Sequence, residues 1–151
     1  MHFKKLAATL LICALPAVSQ ARDTAVYLPF DKAVAEATRT GKIDGSVKFY
    51  LAGNALAGNA PAGKVTVVSP GAVTNKKTNA FNKTDQEACE WVVQSAIISL
   101  HQAAKSAGAN AVTNIVSFYK SNERKDAKTY ECHAGAIMAG VALKGDLATV
   151  Q

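Results

Sequence analysis

Between Thr84 and Gly108 the apolar residues Cys89, Val93, Ala96, Leu100, Ala103 and Ala107 recur at steps of three and four, the spacing of one helical face. Trp91 and Ile98, one heptad apart, widen that face, while Glu90, Gln94, His101 and Lys105 gather on another side and read as solvated. Thr84 and Glu87 have capping-box spacing, in which each side chain reaches a backbone amide that the open start of a helix leaves bare. With Gly108 as the stop, the pattern predicts a helix from Thr84 to Ala107, with Cys89 on its buried side and His101 on its wet side.

Shorter patterns flank it. "FDKAVAEATRT", Phe30 to Thr40, sets Val34 and Ala37 on one side with Asp31 as a cap, a short helix ended by Gly41. "GSVKFYL" alternates Val47, Phe49 and Leu51 with Ser46, Lys48 and Tyr50, the period of a strand. "LAGNA" occurs twice in succession, Leu51 to Ala55 and Leu56 to Ala60; this is too short for a solenoid and, with Pro61 next, reads as a loop. "KVTVVS", Lys64 to Ser69, is a second strand closed by Pro70 and Gly71. The segment after it, "GAVTNKKTNAFNK", reads as a polar connector. Asn110 to Lys120 is β-branched and aromatic, a third strand. A polar turn leads to Thr129 to Lys144, where an extended backbone points Tyr130, Cys132, Ala134 and Ala136 one way and Glu131, His133 and Gly135 the other. The order predicts an α+β domain: an antiparallel sheet of about four strands with one long helix packed on a face, plus a short N-terminal helix.

The opening "MHFKKLAATLLICALPAVSQARD" adds a cellular address. Lys4 and Lys5, the apolar run Leu6 to Leu15 and the small-residue tail Pro16 to Ala21 form the pattern of a secretory signal peptide cut after Ala21. The apolar run is shorter than the roughly 20 residues a spanning helix needs. The expected organisation is a signal peptide at 1–21 and a single α+β domain at 22–151, periplasmic or secreted, with no transmembrane segment in the mature part. A lipid anchor through Cys13 meets the bulky Ile12 where such signals take Gly or Ala.

The chain of 151 residues carries a formal charge of +6, and loss of Lys4 and Lys5 with the leader leaves +4. That charge is diffuse and mildly favours acidic partners. Lys76, Lys77 and Lys83 come nearest to a cluster and mark the connector as a candidate interaction loop. With Cys13 removed, Cys89 and Cys132 remain, and in an oxidising compartment one disulfide is the simplest reading. A metal site on Cys89, Cys132 and His133 is the alternative, although an extended backbone sends Cys132 and His133 to opposite sides.

Other motifs carry less. "GNAPAGK", Gly58 to Lys64, has phosphate-loop spacing, but Val65 stands where a magnesium-binding hydroxyl belongs, and the segment after it looks like a strand rather than a helix. "NKT" at Asn82 to Thr84 fits a glycosylation acceptor, yet Thr84 is better used as a helix cap. No Cys-x-x-Cys pair and no histidine on a cysteine's own side points to nucleophilic catalysis. The expectation is a non-enzyme without nucleotide, nucleic-acid or cofactor partner.

At "KKTNAF", "ACEW", "GANAVTNIVSFYK" and "YECHAGAIMAGVALKG", within Lys76 to Gly145, the chain resembles small exported bacterial proteins that often carry an excinuclease-type label. The helix, the Gly-Ala-Asn-Ala-Val strand and the terminal hairpin are more distantly similar to the small domain of the outer-membrane stress sensor RcsF and to YbjQ-like proteins. The resemblance implies a disulfide-stabilised envelope domain with a non-enzymatic role in stress sensing through protein contacts, its partner an envelope protein or ligand not specified by the sequence. Heavy-metal binding, ascribed to some YbjQ-like proteins, is the alternative it implies for Cys132 and His133.

Overall fold

A computed structural model of the chain describes residues 21–54 and 60–151. The leader pattern before residue 21, with Cys13, and residues 55–59 of the repeat and phosphate-loop match lie outside the described residues. In chain order the elements are β1 (Thr24–Pro29), α1 (Phe30–Arg39), β2 (Lys48–Leu51), β3 (Val65–Asn79), α2 (Asp85–Ser106), β4 (Ala111–Ser117), β5 (Thr129–Ala134) and β6 (Met138–Val150).

The last strand organises the sheet. On one side β6 pairs with β3 from Met138 opposite Asn79 to Val150 opposite Val65. On the other it pairs first with β5, at Ala139 and Gly140, and then with β4, from Leu143 to Ala148. β1 continues the sheet beyond β5, and β2 continues it beyond β4. The β2–β4 ladder is parallel; the others are antiparallel.

This architecture corrects the expected α+β domain with about four antiparallel strands under one long helix. Among the described residues the protein is mostly sheet, six strands curled into a half-barrel, with two α-helices. Thr24–Pro29, with only Val26 and Leu28 packed against the core, is too short a pattern to stand out and becomes a strand because β5 pairs with it. Pro70 and Gly71 do not end β3: register shifts between Val67 and Ser69 and between Ser69 and Ala72 absorb them as bulges, and the strand runs on to Asn79. An edge strand tolerates the proline because an outward position needs no donor. The stretch read as one strand from Thr129 reverses at Gly135 to Ile137, which separates β5 from β6.

The start of α2 follows the capping box. Thr84 Oγ1 accepts from the Glu87 N–H at 3.1 Å, and the Glu87 carboxylate accepts from the Thr84 N–H at 2.8 Å. Gly108 lies at φ +70°, the left-handed geometry that closes the helix end. From this helix Ala88, Val92, Val93, Ala96, Ile97 and Leu100 enter the core with Ile115, Tyr130, Val141, Leu143 and Leu147 of the sheet. Cys89 and Cys132, both fully buried, form a disulfide between α2 and β5, with Cα atoms 5.8 Å apart. Gly145 interrupts the inward row of β6 because a Cβ there would lie 2.9 Å from Val112 Cγ1 and 3.0 Å from Ile115 Cγ1. No helix of the described residues is long and apolar enough to cross a membrane.

The flanks of α2 depart from the helical period. Trp91 is 58% exposed, whereas Gln94 and His101, expected on the wet side, are buried. The turn after α1 covers Gln94 and His101. Lys42 donates to Gln94 and lies 4.7 Å over the Trp91 ring, and Asp44 meets His101. Asp31 does not cap α1; it sits in the first turn behind Pro29.

Candidate functional site

Side chains alternate across a sheet, so the row Lys77, Gly140, His133 and Ala25, matched residue by residue through β3, β6, β5 and β1, lies on the face opposite α2. Gly140 contributes no side chain and leaves a trough between Lys77 and His133. Together with the β5–β6 turn and the Tyr119–Lys120 turn it forms a groove of about 660 Å³, lined also by Arg22, Asp23, Ile137 and Met138. Ile137 is 65% exposed and Met138 47%.

One wall is a closed network. His133 Nδ1 lies 2.8 Å from Asp23 Oδ1, and His133 Nε2 lies 2.6 Å from Glu131 Oε1. The Tyr119 hydroxyl donates to Asp23 Oδ2 at 2.8 Å, and the Tyr119 ring stacks on His133 with centroids 3.4 Å apart. Lys120 Nζ stands 3.8 Å from Asp23, and Arg124 Nε 3.9 Å from Glu131. The turn that presents Tyr119 holds Lys120 at φ +49° and Ser121 at φ +62°, left-handed geometry that non-glycine residues adopt at a cost. Tyr119 is thus placed by strained backbone, and His133 is braced on both nitrogens. The hydrogen bond from Tyr119, followed by that from His133, lowers the pKa of the Asp23 carboxyl. Burial and the bond to Asp23 push the Tyr119 hydroxyl up.

These shifts define a test. A carboxylate with a depressed folded pKa adds stability above its ordinary value of about 3.9, and that stability is lost as pH falls through the lowered value. Tyr119→Phe removes the largest cause, so a carboxyl-carbon NMR titration is expected to show Asp23 moving back toward its ordinary range. An unchanged titration would break the link between Tyr119 and Asp23.

A second cluster explains His101. Asp44 Oδ1 lies 2.8 Å from His101 Nε2 and accepts from the Ser46 hydroxyl at 2.5 Å and the Ser46 N–H at 2.9 Å, while Lys105 approaches Asp44 Oδ2 at 3.3 Å. The Ser46 bonds, ahead of His101 and Lys105, hold the Asp44 carboxyl far below the usual range. The Ser46 hydroxyl donates to the carboxylate and accepts from Lys105, so the cluster fastens the loop after α1 onto α2 rather than pairing a nucleophile with a base.

The sequence-derived candidates separate in the fold. Cys89 and Cys132 are bonded to each other toward the core, and His133 faces the groove between two carboxylates. Among the described residues no group of three or more His, Cys, Asp and Glu side chains is arranged to hold a metal ion. Lys76 and Lys77 are not in a connector: both lie within β3, pointing to opposite faces, because that strand continues past its bulges. Lys83 is exposed in the turn before α2 and donates to the Asn79 carbonyl at 3.0 Å. Lys64, the final residue of the phosphate-loop match, leads into β3, so no helix start faces it. Asp23, Tyr119 and Glu131 of the groove carried no local motif, apart from Glu131's place beside Cys132. No family model, curated protein or solved structure matches the chain.

Proposed function

We propose that this protein is an exported, disulfide-stabilised interaction module of the bacterial envelope, without catalysis, and that the groove over Gly140 is its binding face. The buried Cys89–Cys132 bond carries the reading, because a structural disulfide belongs to an oxidising compartment. The pattern of residues 1–21 and the resemblance to envelope stress-sensor domains support the same address. The groove supports binding in preference to chemistry: Asp23, Tyr119, His133 and Glu131 hydrogen-bond to one another, while Ile137, Met138 and Lys77 remain outward. A protein partner that buries apolar side chains at the hairpin and sets a carboxylate near Lys77 suits this surface.

The test is site-specific photo-crosslinking in intact cells, with the photoreactive residue at Lys77 or Ile137 and a control at Ser106, exposed at the end of α2. A discrete adduct from the groove positions in the periplasmic fraction, absent from the control, is the expected result. Protein retained in the cytosol with free thiols, or identical adducts from all positions, would sink the reading.

A further inference from the structure

The opening of β3, residues 65 to 68, has no covering layer among the described residues. Residues 65 to 68 are exposed in succession, Val65 at 40%, Val67 at 47% and Val68 at 46%. Both sheet faces are therefore open there. β3 pairs with β6 along one edge, and no described strand lies along its other edge. Lys64 exchanges both backbone hydrogen bonds with Gln151, at 2.8 and 3.1 Å, so its polar groups point toward the β6 side. By strand alternation those of Thr66 point the same way, and the N–H and C=O of Val65 and Val67 point to the open edge. The side chains of Val65 and Val67 share a face with their partners Val150 and Ala148, opposite α2.

We infer that this edge pairs with the same segment of a second copy of the chain, antiparallel, about a two-fold axis at Thr66. Val65 then exchanges hydrogen bonds with Val67 of the second copy, and the reverse, using the groups that face the open edge. The valines meet as cross-strand pairs on one face, and the two threonines meet on the other. Charge favours a second copy. Val65 to Gly71 carries no charge, and Lys64 falls opposite Val68, so no like charges are opposed. Beyond it, Pro70 and the lysines at 76 and 77 guard the remainder of the edge. So short a contact falls below the roughly 1,200 Å² of a standard stable interface, and the dimer forms only as concentration rises.

The test uses the full chain with Cys13→Ser, adding Thr66→Cys. At the axis of such a pair the Cα atoms lie about 4.5 Å apart, within disulfide reach. The native cysteines are bonded and buried, so the new thiol is the accessible one. Mild oxidation is expected to give a covalent dimer from Thr66→Cys and little from Val73→Cys, which is also exposed on β3 but beyond the bulges. By sedimentation, Val67→Pro, which deletes an outward donor and leaves the β6 ladder intact, is expected to weaken association roughly tenfold or more. If it does not fold, Val67→Lys provides the same reading through charge and desolvation. A monomer at every concentration, equal cross-linking at both positions, or an edge that takes up an extended segment of another protein instead overturns the inference.

Discussion

Replacing both Cys89 and Cys132 with alanine is expected to lower stability by about 4 kcal/mol and the melting point by roughly 10 to 20 °C. The bond joins residues 43 positions apart, and closing a loop of that length removes considerable entropy from the unfolded chain. The loss is a large fraction of the roughly 5 to 15 kcal/mol that separates folded from unfolded in an ordinary domain. Because both sulfurs are fully buried, reductant should act slowly on the native protein and quickly once denaturant opens it. Thermal scans of the oxidised protein and the double variant would decide the first point. Equal midpoints would mean that packing of α2 on β5 holds the two elements together without the bond.

Leu143→Ala is the second large effect. Leu143 is fully buried on β6, facing α2, and its strand neighbours are Thr74 on one side and Ser117 on the other. Truncation removes buried carbon and leaves a cavity that three hydrogen-bonded strands cannot easily close, for an expected cost of about 2 to 5 kcal/mol. Leu143→Met, which conserves volume, should cost less than about 1.5 kcal/mol. Denaturant titration of both variants tests this. Similar losses from both would place the sensitivity in side-chain shape rather than in the cavity.

What the sequence reveals here depends on how local the cause is. The start of α2 was legible because Thr84 and Glu87 satisfy each other three residues apart. The alternation around Cys132 was legible because β5 is regular and one of its faces is apolar. From the sequence β3 stops at Ser69 because Pro70 and Gly71 usually end strands, and only the partner strand shows that they are bulges. β6 was hidden because both of its parities are small or apolar, as expected when one strand is enclosed by several others. His101 looked wet because the helical period cannot register a loop, Ile43 to Val47, that folds over that side. The groove was the least legible feature. His133 meets Asp23 across 110 positions and Tyr119 meets Asp23 across 96, so neither pairing leaves a spacing to find.

The central role of β6 also sets a schedule for the nascent chain. β3, β4 and β5 each take β6 as a neighbour, yet β6 is synthesised after all of them. Until it emerges, β3 has no described strand to pair with, and the β1–β5 and β2–β4 pairs remain separate islands. The polypeptide therefore acquires its structure late and at once, by long-range pairings that form slowly. A chain stopped before residue 138 has no continuous sheet, and the arrival of β6 is the event that commits it to fold.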